Sequence, residues 1–281
     1  MANIKEYIKA FDEPFPPSES FTIIDTPWIG AVKSTNQAIH SKNVGTLIND
    51  GGVLKMLIPA IFILLSDGSS LNIDENITEI TSDYLNTLLS SQGKNKNQVV
   101  SFIIGDSVTS IGNETFKNFT NLQTVVMTNS VTSIGDYAFY GCGNLQNITL
   151  SKKIEYIGNY AFYNCINLMS SINLPYVTYI GDYAFYGCKI IDKFTLSEQV
   201  DYIGEYAFYD CKSITSFDIP ENVTHLRQYT FANCSQLDTI NFSNNLLKID
   251  GYVFSACTSL LNIEIPNGVE YLGIKAFSNC S

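Results

Sequence analysis

Apolar and polar positions along most of this chain recur at a fixed step of 23 residues. Phenylalanine stands at Phe116, Phe139, Phe162, Phe185, Phe208, Phe231, Phe254 and Phe277. The seven cysteines keep the same step from Cys142 to Cys280, with Phe119 in the corresponding place of the first unit. An aliphatic column runs from Ile111 through Ile134, Ile157, Ile180, Ile203, Leu226 and Ile249 to Leu272, and a tyrosine column from Tyr137 to Tyr252. Such periodicity is the mark of a stacked architecture, in which one unit cannot bury its own apolar face and the stack can.

The unit Leu145–Asn167 gives the local expectation. Leu145, Ile148 and Leu150 alternate in the manner of a short strand. Ile154 and Ile157 follow at a spacing of three, and Gly158-Asn159 opens Tyr160-Ala161-Phe162-Tyr163, which predicts a short helical turn capped by Asn159. The turn should stop where Asn118, Gly141, Asn164, Gly187, Asp210, Asn233, Ala256 and Asn279 stand, because Gly, Asn and Asp tolerate a left-handed backbone. Ala256 should be strained there. Strands of successive units should pair in parallel about 4.8 Å apart, giving an α/β solenoid. Burying a Phe or Leu is worth roughly 1.5–3 kcal/mol, and ordering the 23 residues that carry them costs a comparable sum. The unit is therefore expected to fold only in a stack.

Eight units fit 99–281. In the fourth, the strand slips by one, to Ile172 and Leu174, and Pro175-Tyr176 recovers the register. Residues 66–98 read as a degenerate first repeat with Leu71, Ile73, Ile77 and Ile80, followed by an insertion at 90–97. Residues 1–65 do not repeat and read as an N-terminal cap: a helix through Ile4, Tyr7, Ile8 and Phe11, a Pro-rich break, extended stretches at Phe21–Ile24 and Trp28–Val32, and a buried apolar run at Val53–Leu65.

Charge narrows the partners. The formal net charge is −11, and Arg227 is the one arginine. Phosphate backbones need clustered Lys and Arg, so nucleic acid and anionic membrane surfaces are poor partners. No apolar run is long enough to span a bilayer, and Met1–Tyr7 lacks the apolar core of a secretory signal.

Ser133-Ile-Gly-Asp-Tyr-Ala-Phe-Tyr-Gly-Cys142, followed by Leu145-x-x-Ile148-x-Leu150, resembles the BspA-type leucine-rich repeat, and the resemblance covers 99–281. It implies a right-handed, curved solenoid with the parallel sheet on its concave face and the helical turns on its convex side. It also implies a cell-surface adhesin or antigen recognising host or extracellular matrix proteins, with no catalytic residues. The missing secretory signal keeps a second reading open, an intracellular, cytoplasmic scaffold for protein–protein interaction. Eight N-glycosylation sequons, Asn147 among them, matter only on a secretory route.

The concave face is the default binding surface of a curved solenoid. Its outward positions should be Thr124, Val126, Asn147, Thr149, Asn173, Lys193, Thr195, Ser216, Asp218, Thr239, Asn241, Asn262 and Glu264. That surface is polar, turns acidic toward its end, and lacks aromatic anchors. Tyr140, Tyr163, Tyr186 and Tyr209 form a further column that either packs between turns or offers a binding stripe.

The cysteine column could hold reduced core thiols, disulfides or a metal. A linear column does not converge as metal ligands must, and seven is odd, so reduced thiols are expected, with neither metal nor cofactor. His40 and His225 provide little material for acid–base catalysis, and no nucleophile or phosphate-loop motif is present. The strand Leu260–Ile265 is expected to be a bare edge that could pair with a second copy.

Overall fold

The computed structural model describes residues 39–41, 45–50, 53–57, 60–73, 77–169 and 171–280. The helix expected through Ile4–Phe11 and the extended stretches at 21–24 and 28–32 lie outside them. Two ladders of parallel strands run along the stack. The first joins Val99–Ile104, Thr124–Met127 and Asn147–Thr149 in the 23-residue register, Phe102 opposite Val125 and Val125 opposite Ile148. It then resumes as Ile172–Leu174 with Phe194–Leu196, and as Ser216–Asp218 with Thr239–Asn241. Ile172 lies opposite Phe194, a step one residue short, so the slip read from Ile172 and Leu174 is present. Residues 260–265 form no strand, which corrects the expected edge at Leu260–Ile265.

The second ladder is built from two-residue strands: Glu79–Ile80, Ser110–Ile111, Ser133–Ile134, Tyr156–Ile157, Tyr179–Ile180 and Tyr202–Ile203, then His225–Leu226, Lys248–Ile249 and Tyr271–Leu272. After each strand from Ser110–Ile111 to Tyr202–Ile203 comes a glycine whose N–H donates to the coil before, as Gly158 does to the Ile134 carbonyl at 2.8 Å. A Cβ on Gly158 would lie 2.6 Å from the Asp136 nitrogen and 2.7 Å from the Gly135 carbonyl carbon. Glycine is therefore what lets the coils approach. The ladder is interrupted between Tyr202–Ile203 and His225–Leu226, where Arg227 takes the glycine place. Asp250 takes it one coil later; pairing persists there, but the nearby bond from Tyr229 N to Gly251 O stretches to 3.4 Å, against 2.8 Å from Tyr137 N to Asn159 O.

Turns replace the expected helical turns. Ala138 N donates to Gly135 O at 3.3 Å, Tyr140 N to Tyr137 O at 3.1 Å and Cys142 N to Phe139 O at 3.2 Å. The intervening N–H groups of Tyr137, Phe139 and Gly141 donate forward to Asn159, Ala161 and Tyr163 of the next coil at 2.7–2.8 Å. A helix would spend those donors within its own coil; this ribbon spends them between coils, so the buried backbone is satisfied by stacking. The geometry needs two left-handed residues per coil. One column is the expected one, from Asn118 (φ 58°) to Asn279 (φ 61°), including Ala256 at φ 61°. The other was not foreseen: Tyr137, Tyr160, Tyr183, Tyr206, Tyr229 and Tyr252 hold φ of 55–62°. A bulky residue there costs on the order of 1–2 kcal/mol, which ring stacking along the column offsets. Nor does Asn159 cap a helix. Its Oδ1 accepts the Asp182 N–H of the next coil at 2.8 Å, and Asp136 accepts from Asn159 in the same way at 2.7 Å.

The core is a set of continuous columns. Phe116 through Phe277 stack face to face, with centroids 4.9–5.7 Å apart. At the front, Ile61–Leu65 runs antiparallel between Ser70–Ile73 and Val99–Ile104. Leu71 and Ile73 thus lie in an antiparallel edge strand, whereas Ile80 takes the ordinary second-ladder place. The helix Ser82–Ser91, capped by the Thr81 hydroxyl, buries Leu85 and Leu89 against the first coil. Ile39–Ser41, Gly45–Asp50 and Val53–Leu57 form a separate antiparallel meander.

Candidate functional interface

Alternation along the first ladder sorts its residues to two sides. Val125, Ile148, Ile172, Phe194 and Phe217 point into the core and are buried. Between them, Asn147, Thr149, Asn173, Thr195, Ser216, Asp218, Thr239 and Asn241 are exposed in one file. Lys193 stands just before its strand and is also exposed. Asn262 and Glu264 continue the file as exposed residues without strand pairing, and Thr124 begins it half-buried. Val126 departs from the expectation. It is 2% exposed, packed with Phe62 and Ile103 in a second small cluster on the face turned away from the main core, so it cannot contribute to an open surface. Along the file, Asn241 Nδ2 donates to Asp218 Oδ1 at 2.6 Å and Ser171 Oγ to Asp192 Oδ1 at 2.9 Å. Partner groups therefore meet a partly tied polar surface.

The tyrosines are arranged differently from a binding stripe with free ring faces. Tyr140, Tyr163, Tyr186 and Tyr209 stack with centroids 4.7–4.8 Å apart and interplanar angles of 4–14°. Ring faces within the column are thus occupied by neighbouring rings, leaving edges and hydroxyls outward. Asn233 Nδ2 donates to the Tyr209 hydroxyl at 2.8 Å where the column ends. A third file, Tyr156, Tyr179 and Tyr202, stacks on the second ladder, and the Arg227 guanidinium lies over the Tyr202 ring at 4.3 Å. Burial, with the neighbouring Asp182 charge, pushes the Tyr202 hydroxyl up to about 12.

The cysteine column is chemically quiet. All seven thiols are free. Each Sγ donates to a phenylalanine carbonyl of the preceding coil, from Cys142 to Phe116 O at 3.0 Å through Cys280 to Phe254 O at 3.1 Å. Burial pushes Cys142 and Cys257 up to about 12, far from the thiolate that a nucleophile or metal ligand requires. Among the described residues no group of three or more His, Cys, Asp or Glu is placed to hold a metal ion.

His225 Nε2 lies 2.7 Å from Asp250 Oδ2, and Lys248 Nζ 2.9 Å from Asp250 Oδ1. Partial burial works against the Asp250 charge, but the bonds from Lys248 and His225 outweigh it and hold the carboxyl below its ordinary range. This is a tied surface cluster rather than an acid–base pair. The step from His225 to Asp250 is 25 residues, which the 23-residue columns do not reveal.

A family model described as the BspA type leucine rich repeat region matches residues 88–176 and 168–281, with six copies. The crystal structure of the T. pallidum leucine rich repeat protein TpLRR aligns with a TM-score of 0.55 at 22% identity, covering 80% of this chain and 92% of that one. A leucine rich cell surface protein from Faecalibacterium prausnitzii aligns at 19% identity over 85% of this chain and 88% of that one, with a TM-score of 0.31. The pneumococcal vaccine antigen PcpA aligns at 15% identity over 75% of this chain and 42% of its own, with a TM-score of 0.30. At that identity TpLRR speaks to fold alone, and the two lower scores carry no argument. Comparison with functionally curated proteins finds no match.

Proposed function

The chain belongs to the BspA-type leucine-rich repeat family, and from that premise we propose that it is a cell-surface adhesin or antigen that recognises a host or matrix protein through its first-ladder face. Leucine-rich repeat scaffolds of this family present surfaces to other proteins. The observation that carries the choice of face is the exposed file from Asn147 to Asn241, polar throughout and extended across successive coils. Elsewhere the repeating apolar, thiol and phenylalanine columns are absorbed by the core. The file has small polar side chains and no aromatic anchor, so a single contact is modest in strength and repetition along the stack supplies the remainder. Its charge shifts from Lys193 to Asp218 and Glu264, which favours a partner with basic groups toward the C-terminal coils. Among the described residues no helix is long and apolar enough to cross a membrane.

The test is a pull-down and binding measurement with the intact chain against immobilised matrix proteins, repeated with Lys193→Glu, Asp218→Lys and Glu264→Lys combined. A loss of tenfold or more in affinity supports this face. Unchanged binding by the triple variant overturns the assignment, and capture of intracellular proteins alone overturns the adhesin reading.

A further inference from the structure

Most ends of the stacked tyrosine files carry a cation. Lys117 Nζ lies 5.1 Å from the Tyr137 ring centroid and 5.9 Å from that of Tyr140, at the front of two files. Lys275 Nζ lies 5.8 Å from the Tyr252 ring at the back of the first. On the second ladder, Arg227 covers the back of the file Tyr156, Tyr179 and Tyr202. The front of that file is different. Among the described residues no cation lies over the Tyr156 ring. Pairing puts Ser133 beside Tyr156 and Ser110 beside Ser133, so two small side chains precede the ring, which is 38% exposed.

The same ladder shows what fits such a place. Lys248 stands one coil before Tyr271, as Ser133 stands one coil before Tyr156. Its Nζ lies 5.0 Å from the Tyr271 centroid and 2.9 Å from Asp250 Oδ1. A cation there rests over a ring and against a carboxylate. Before Tyr156 the carboxylate is Asp136, three positions after Ser133. Asp136 stands to Tyr156 as Asp182 stands to Tyr202, whose hydroxyl donates to Asp182 Oδ1 at 3.0 Å. Burial first, and then the Asp136 charge, raise the Tyr156 hydroxyl above its ordinary value. Asp136 Oδ1 accepts the Asn159 N–H at 2.7 Å. A carboxylate offers about four lone-pair sites, so this one can accept further donors.

We propose that the shelf over Ser133, walled by the front face of Tyr156 and the Asp136 carboxylate, takes the side chain of an arginine from a partner protein, its guanidinium continuing the ring stack. Arginine suits the place better than lysine, because its planar head stacks on an aromatic face and forks onto a carboxylate. Arg227 does the first of these at the other end of the same file, 4.3 Å from the Tyr202 centroid. The guanidinium must come from another molecule, since Arg227 is the one arginine in the chain and is committed to Tyr202. A net charge of −11 favours the approach of a basic segment. The site lies on the second ladder, apart from the polar file of the first, and holds whether or not that file recognises a partner.

The test follows the full chain, with isotope-labelled tyrosine rings, by NMR during titration with acetyl-Gly-Arg-Gly amide. The ring signal absent from Tyr156→Phe identifies Tyr156. It should move saturably with the arginine peptide and stay still with the citrulline peptide, which keeps the shape without the charge. Asp136→Asn retains an acceptor for the next coil, as Asn159 does at the same place, and should weaken binding about fivefold. Ser133→Lys copies the Lys248 arrangement and, by filling the shelf, should weaken binding about tenfold or more. Equal movement with citrulline, or unchanged affinity in either folded variant, overturns the proposal. A Tyr156 signal that does not move with the arginine peptide overturns it as well. Should one variant fail to fold, the other and the citrulline comparison decide the matter.

Discussion

The Sγ of Cys165 donates to the carbonyl oxygen of Phe139 across 3.2 Å, and the two residues belong to successive coils. The thiol therefore does two jobs: it fills a slot in the core and satisfies a backbone acceptor that stacking has buried. Cys165→Ala removes both and should cost about 1–3 kcal/mol, read as a lower urea midpoint at constant slope. A thiol reagent should find six cysteines inert in the folded protein and all seven reactive once unfolded. Cys280, half-buried at the end of the column, should react first. Rapid labelling of Cys165 in the native state would contradict the packing.

Alkali should unfold the stack. The Cys142 thiol rises from 9.0 to about 12 on folding, and the Tyr183 hydroxyl from 10.0 to about 12, burial being the first cause in each. A group whose folded value is raised contributes fully below its unfolded value and loses that contribution as pH climbs toward the folded one. The urea midpoint should hold up to about pH 9, then fall steeply toward pH 12 as cysteines and later tyrosines ionise. A midpoint flat to pH 11 would rule this out.

Gly158 and Gly143 make a matched pair. A Cβ at Gly158 collides with the backbone of the preceding coil, whereas one at Gly143 meets only Ile166 Cγ1 at 4.0 Å. Gly158→Ala should cost roughly 2–4 kcal/mol. Gly143→Ala should change stability by less than about 1 kcal/mol, in either direction. Equal effects in thermal or urea unfolding would refute the close-approach role of the second-ladder glycines.

Left-handed residues give a prediction with opposite signs at two sites. Ala256 sits at φ 61° without an aromatic ring to offset the strain, so Ala256→Gly should stabilise by about 0.5–1 kcal/mol. Tyr183 has φ 57° but stacks on Tyr160 and Tyr206 at 4.6 Å each. Tyr183→Gly should destabilise by about 1–3 kcal/mol, since two stacking partners and ring burial outweigh the relieved strain. Stabilisation by Tyr183→Gly would show that the ring column contributes little.

Much of the molecule was legible from position alone. A 23-residue step with Phe, Cys and Ile at constant places admits one economical burial, in which like residues stack, and the Phe116–Phe277 column is the result. The slipped strand at Ile172 and the left-handed site at Ala256 were readable for the same reason: each is a local departure from a pattern stated many times over. The surface file followed from alternation, except at Val126. Whether that residue is outside or covered depends on its neighbours across the ladder, Ile103 of the first unit and Phe62 from a strand outside the repeats.

What the linear order could not decide is where each backbone donor goes. Tyr160-Ala161-Phe162-Tyr163 is good helical material, and an isolated segment would close its bonds internally. In the stack a neighbouring coil offers carbonyls less than 3 Å away, and the ribbon that uses them wins even though it forces tyrosine into a left-handed conformation. Residue choice sets which side chains share a column; only contact between coils sets the backbone shape beneath them, because the competing hydrogen bonds differ in partner and not in number.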